Sequence, residues 1–142
     1  MKITGVVSAL LTVFTLAAAL PAPDPISVAD LDVGVALERR AFHGRGTVYE
    51  QLGAHGSCGE KHSDSDIIVA LSNEWMQGQS PAPYCGRKVR AKNKDNGKTI
   101  IAKVADTCMG CGKKDLDFSV GAWNKITGGA PWGVFPVEWD WA

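Results

Sequence analysis

The sequence predicts a mainly β domain, a small closed sheet of five or six short strands with one or two short helices. Three observations carry that expectation. Lys88, Arg90 and Lys92 alternate with Val89 and Ala91, and Phe135, Val137, Trp139 and Trp141 alternate with Glu138 and Asp140, the period-two pattern of strands with one packed face. Asn96-Gly97 sits between two such runs, where this pair makes positive φ angles cheap in a hairpin turn. Four cysteines in a unit of about 100 residues fit a scaffold too small to rely on its core alone, since a domain of that size buries only about 60–70% of its unfolded surface.

The chain has 142 residues, and the folding unit is shorter. Met1-Lys2 followed by the uncharged apolar run Ile3–Leu20, ending in Ala17, Ala18 and Ala19, reads as a secretory signal peptide over residues 1–20. A retained membrane helix needs about 20 apolar residues, and Thr4, Ser8 and Thr12 weaken that alternative. Residues 21–40 hold three prolines and Asp24, Asp30 and Asp32, and close on Glu38-Arg39-Arg40. That texture predicts a propeptide cleaved after the dibasic pair, or a disordered leader that stays on. The domain then runs over 41–142.

Along the domain, Gly46–Glu50 reads as a first strand and Gly53–Gly59 as a glycine-rich loop around Cys58. Asp66–Ser72 is an apolar strand, and Asn73–Met76 suits a single helical turn. Lys88–Lys92 and Lys98–Ala105 form the hairpin. Ile100, Ala102 and Val104 share one phase, and Asp106 continues it, so its carboxylate is expected at the interior rim. Leu116-Asp117-Phe118-Ser119 is expected to open a short helix over Val120–Ile126, with Ser119 as N-cap and Gly128-Gly129 as its stop. Val134–Trp141 is the last strand.

From residue 41 onward there are twelve Lys/Arg and eleven Asp/Glu, a balance that excludes a global field for nucleic acid. Arg87, Lys88, Arg90, Lys92, Lys94, Lys98 and Lys103 face only Asp95 locally, a run that either solvates the hairpin or attracts acidic polymers. The cysteines allow three pairings, and Cys58–Cys85 with Cys108–Cys111 is preferred. Cys108-Met109-Gly110-Cys111 lacks the βαβ setting of a redox motif, and a zinc site would need reduced cysteines, so disulfides fit a secreted chain better. His43, His55 and His62 match no metal-ligand spacing and read as solvated loop residues, so no metal and no cofactor is expected.

Asp106 at the end of an apolar strand and Asp117 eleven residues later place two acids near one cleft, the equipment of a surface that handles glycans. Asp115 reads as exposed. Trp132, and less so Trp75, fall outside regular alternation and could stack on sugar rings, whereas Trp123, Trp139 and Trp141 read as core or barrel wall. Gly46-Thr47-Val48-Tyr49, Ser57-Cys58-Gly59, Tyr84-Cys85-Gly86-Arg87, Val104-Ala105-Asp106-Thr107-Cys108, Leu116-Asp117-Phe118-Ser119 and the strand around Trp139 follow one another in a familiar order. Over residues 44–142 they resemble the double-psi β-barrel domain of expansins, RlpA-like proteins, barwin and family 45 glycoside hydrolases. The pattern is most similar to the single-domain fungal loosenins, and papain inhibitors of actinomycetes share the four-cysteine layout.

The resemblance implies a six-stranded double-psi β-barrel and a groove lined by Thr47, Asp106 and Asp117, assisted by Tyr49 and Trp132. Asp117 matches the general acid of the hydrolase relatives. Their motif Thr-x-Tyr-x-Asp puts Gln51, an amide, where the base would stand, and Glu50 points to the other side of the strand. Gripping without cleavage is therefore expected. The implied partner is a cell-wall polysaccharide such as cellulose, chitin or peptidoglycan, bound by a secreted monomer with no nucleic acid and no membrane contact after signal removal. Expansins carry a second, β-sandwich module, whereas this chain ends at Ala142 after the last barrel strand, so weak, transient binding is expected. Two other readings stay open: a cysteine-protease inhibitor acting through Gly53–Gly59 or Ser80–Pro83, and an endoglucanase or lytic transglycosylase using Asp106 and Asp117.

Overall fold

The computed structural model describes residues 40–142; the expected signal peptide, and all but the last residue of the expected leader, lie outside the described residues. Six strands appear in chain order: β1 (Phe42–Tyr49), β2 (Ile68–Ser72), β3 (Lys88–Asn93), β4 (Thr99–Cys108), β5 (Leu116–Ser119) and β6 (Phe135–Trp141). Helix α1 (Asn73–Met76) follows β2, and α2 (Val120–Thr127) follows β5. The sheet closes into a barrel in the order β1-β5-β2-β4-β3-β6. Pairs β1–β5 and β2–β4 are parallel and the others antiparallel.

Alternation fills the barrel. Val69, Leu71, Val89, Ala91, Ile100, Ala102, Val104, Leu116, Phe118, Phe135, Val137 and Trp139 form one buried cluster, and Trp123 and Ile126 of α2 pack against it as expected. Gly46 leaves room for the Phe135 ring, which would lie 2.5 Å from a Cβ at that position. The N-cap is as anticipated: the Ser119 hydroxyl accepts from Ala122 N–H at 3.2 Å, and Gly128 ends the helix at φ 78°. Both disulfides follow the preferred pairing, Cys58–Cys85 and Cys108–Cys111.

Two expectations about the strands fail, and both failures shape the candidate site. Leu116–Ser119 does not open the helix; it is strand β5, wedged parallel to β1 and antiparallel to β2. Four residues show too little periodicity to reveal this, and the pairing comes from a strand some 70 residues away. Asp106 does not continue the inward phase. Val69 pairs with Val104 but Ala70 pairs with Asp106, so Ala105 is an extra, bulged residue. One added residue turns every later side chain of β4 to the opposite face.

Candidate functional site

The bulge and β5 together build a polar row on the outer wall of the barrel. In register across four strands stand Thr47 (β1), Asp117 (β5), Ala70 (β2) and Asp106 (β4). Their neighbours Leu116, Phe118, Val69, Leu71 and Val104 point into the core, so the row faces outward. Ala70, 2% exposed, is the floor between the carboxylates, whose Cα atoms stand two strand spacings apart, about 9–10 Å.

Each acid is held differently. Thr47 Oγ1 donates to Asp117 Oδ1 at 2.6 Å. Burial raises the Asp117 pKa above the ordinary carboxylate value, the Thr47 bond works against that rise, and the charge of Asp106 adds to it. The same carboxylate lies within 4.8 Å of both sulfurs of Cys108–Cys111, which are tied to each other and so are not thiolate ligands. Asp106 Oδ1 accepts two backbone N–H groups, from Ser57 at 2.9 Å and Thr107 at 2.8 Å. The loop that brings Ser57 there needs Gly56, since a Cβ would sit 2.4 Å from the bulge carbonyl of Ala105 and 3.2 Å from Asp106 Cγ. Cys58 N–H then satisfies that carbonyl at 3.3 Å.

Tyr49 lies two residues beyond Thr47 on the same face. Its hydroxyl is buried with no partner among the described residues. Burial first, and then the charges of Asp106, Asp117 and Asp64, push its pKa well above the usual tyrosine value, so it stays a neutral O–H donor. Gln51, where a base was sought, is 4% exposed; its Nε2 donates to Ala54 O at 3.0 Å and its Oε1 has no partner among the described residues. Asp64 Oδ1 accepts the N–H groups of Gln51 and Leu52 and fixes this turn. Sequence reasoning missed Gly56, Ser57 and Asp64 as rim residues; the glycine between His55 and Ser57 was the one available signal.

The strand register unites Thr47, Tyr49, Asp106 and Asp117, while Trp132 is 55% exposed in the loop between α2 and β6 and takes no part in that register. Trp75 is no free platform. Its indole N–H donates to Lys113 O at 2.6 Å, and its ring packs edge-on against Phe42, Tyr84, Trp139 and Trp141. Asp115 is not exposed but 8% accessible, accepting from Arg45 N–H (2.8 Å), the Arg45 guanidinium (2.9 Å) and Gly112 N–H (3.0 Å). His62 is likewise enclosed, with Nδ1 3.0 Å from Asp66 Oδ2 and Nε2 3.2 Å from Glu60 Oε2.

No family model matches the sequence. Among curated relatives, a putative ripening-related protein 6 of rice is 32% identical over 96 residues, 64% of this chain and 56% of the relative. The papain inhibitor of Streptomyces mobaraensis is 32% identical over 101 residues, 69% of this chain and 66% of the relative. The chain spans about half the length of the first curated relatives it matches. Among solved structures, the Streptomyces papain inhibitor superposes with TM-score 0.62 at 28% identity, over 72% of this chain and 94% of that one. An expansin of Clavibacter michiganensis superposes with TM-score 0.58 at 25% identity, over 72% of this chain and 50% of that one. A mutant of that expansin, 23% identical in its superposition (TM-score 0.59, 72% and 50% covered), was solved with cellohexaose. The closed six-stranded barrel with its two parallel pairs, together with these likenesses, makes the fold a double-psi β-barrel. The scaffold is of the kind used by expansin and by papain inhibitor.

Proposed function

We propose that this is a secreted, expansin-like protein of the loosenin kind that grips a cell-wall polysaccharide along the Thr47–Asp117–Asp106 row and loosens its packing without cutting it. The observation that carries the reading is the row itself, which offers sugar hydroxyls a threonine-held acid and a second carboxylate on one outward face. Inverting hydrolysis needs one carboxylate free to activate water about 6.5–9.5 Å from the acid. Asp106 already accepts two backbone N–H groups through Oδ1, and the residue two beyond Tyr49 is the buried amide Gln51. Both features support gripping over cleavage, and so does the likeness to an expansin. The protein acts as a monomer outside the cell on cellulose, chitin or a peptidoglycan-like polymer, with Trp132 as an outlying sugar contact. Retention on these three polymers, titration with cellohexaose and a reducing-end assay test the reading. Wild type retained, Asp117→Ala not retained and no new reducing ends is the expected result; equal retention of both proteins sinks it.

A second reading rests on Leu52. Its side chain is 74% exposed on a residue at φ 50°, held there by Asp64, so an apolar group is presented on a fixed turn beside the Gly53–Gly59 loop. The likeness to a papain inhibitor, which covers 94% of that chain, favours a protease-binding role for such a loop. Stoichiometric inhibition of papain that survives Asp117→Ala and is lost in Leu52→Asp decides for it.

A further inference from the structure

We propose that the outer face of the β3–β4 hairpin is a second binding surface, one for a linear anionic polysaccharide of the polyuronate class. The inference stands apart from the acid row and holds whether or not that row binds glycan. On β3 the outward residues are Lys88, Arg90 and Lys92, all exposed and all of one sign. Across from them on β4 stand Lys103, Ile101 and Thr99. Alternation alone explains why five of these six positions are polar; it does not explain why none is acidic.

Of the two ordinary reasons for a cationic strand, one is missing and the other accounts for only part of it. Lysines often guard a sheet edge against stray pairing, but this sheet is closed and β3 has neighbours on both sides. Cross-strand charge pairing is the other, and it is incomplete: on β6 Asp140 stands opposite Arg90 and Glu138 opposite Lys92, but on β4 Lys88 faces Lys103 directly, a like-charge contact that costs stability. The carboxylates at hand are engaged on the flanks: Asp140 with Arg90 (3.4 Å), Glu138 with Lys94 (2.9 Å) and Glu60 with Lys103. Lys88 and Lys92 make no ion pair among the described residues. A bound polyanion would relieve that crowding.

The layout selects the kind of polyanion. Alternate residues of a strand lie about 6.8 Å apart, so the three β3 cations form a single file suited to an extended chain carrying one charge per sugar. Ile101, 52% exposed, gives the file an apolar shoulder against which a sugar ring can lie. Single-stranded nucleic acid is gripped by cations combined with aromatic stacking platforms. The outward positions of β3 and β4, Lys88, Arg90, Lys92, Thr99, Ile101 and Lys103, include no aromatic ring. A polyuronate needs none.

The test is binding of the full chain to immobilised polygalacturonate, to its methyl ester, and to single-stranded oligothymidylate. Wild type is expected to hold polygalacturonate at about 0.05 M salt, to release it by about 0.5 M, and to ignore the ester, because screening grows steeply over that range. Lys88→Glu with Lys92→Glu should weaken binding about tenfold, two reversed surface charges contributing well under 1 kcal/mol each per unit of charge. Lys114→Glu with Lys125→Glu changes net charge equally on other faces and should weaken it less than about threefold. Thermal midpoints check that both variants fold, and cellohexaose titration separates this surface from the acid row. Equal loss in the two double variants, equal retention on the ester, or tighter binding to the oligonucleotide would overturn the proposal.

Discussion

Asp117→Asn should stabilise the protein at neutral pH and, on the proposed function, abolish its retention on polysaccharide. The wild-type carboxylate is half-buried, with a pKa raised by burial first and by Asp106 as well, against the opposing Thr47 bond. A group whose folded pKa lies above its unfolded value holds its proton more tightly when folded, so its ionisation works against the fold at neutral pH. That penalty is complete above the folded pKa, shrinks as pH falls through it, and is gone below the unfolded value near 3.8. One part of it can be sized from the register. Two charges about 10 Å apart at an effective dielectric of about 20 repel by about 1.7 kcal/mol, and salt near 0.1 M reduces this to about 0.6 kcal/mol. Because the net direction is upward, burial and repulsion together outweigh the Thr47 bond, and an uncharged isostere should gain about 0.5–1 kcal/mol. For a domain of this size that is a rise in midpoint of roughly 2–8 °C. Thermal unfolding of both proteins at pH 7 and pH 3 is the assay. A variant less stable than wild type at pH 7, or one whose advantage persists unchanged at pH 3, refutes the reasoning.

Gly56→Ala should cost about 1–3 kcal/mol in chemical denaturation, because its methyl group would displace the loop from the Ala105 carbonyl. Retention on polysaccharide should fall too, since Ser57 N–H no longer fixes Asp106. Asp115→Ala leaves three N–H donors without their acceptor and should cost about 2–3 kcal/mol. Its pH dependence runs opposite to that of Asp117. Burial would raise the Asp115 pKa, but the Arg45 and Gly112 bonds outweigh it and leave a net depression, so its contribution is full above about pH 4 and lost on further acidification. Replacing Cys58 and Cys85 by serine should cost about 3.5 kcal/mol for a separation of 27, and the Cys108/Cys111 pair about 1.6 kcal/mol for a separation of 3, measured by urea denaturation. A larger loss from the second pair would mean that its turn, next to Asp117, is held chiefly by the disulfide.

Features written locally in the chain were legible. The β3–β4 hairpin, the alternation of β6, the Ser119 cap and the core positions Trp123 and Trp139 depend on neighbours in sequence, and each was found where its residues pointed. The acids themselves were also legible as residue types at a strand end and beyond a cysteine turn. Their common wall was not. Ile100, Ala102, Val104 and Asp106 look like one unbroken phase, and nothing local marks Ala105 as the residue that breaks it. Arg45 and Asp115, like Thr47 and Asp117, meet across a separation of 70 residues through a parallel pairing that no short-range pattern encodes. Trp75 read as a possible sugar platform because its packing partners Phe42, Trp139 and Trp141 come from the two ends of the described chain.

The bulge at Ala105 also explains how one strand serves two surfaces along the same outer wall. Before it, β4 turns Thr99, Ile101 and Lys103 outward beside the β3 cations. Had that phase continued, Asp106 would have pointed among Val69, Leu71 and Phe118, where an unpaired carboxylate is too costly to persist. The added residue moves the charge out to Ala70 and hands it two backbone donors, one from its own neighbour and one from the Gly56-Ser57 loop. The cationic end of β4 and its acidic end are thereby separated by a buried Val104-Ala105 step, and Glu60 pairs with Lys103 at the cationic end. A barrel wall that would otherwise be featureless keeps a cation file on one side of that step and an acid row on the other.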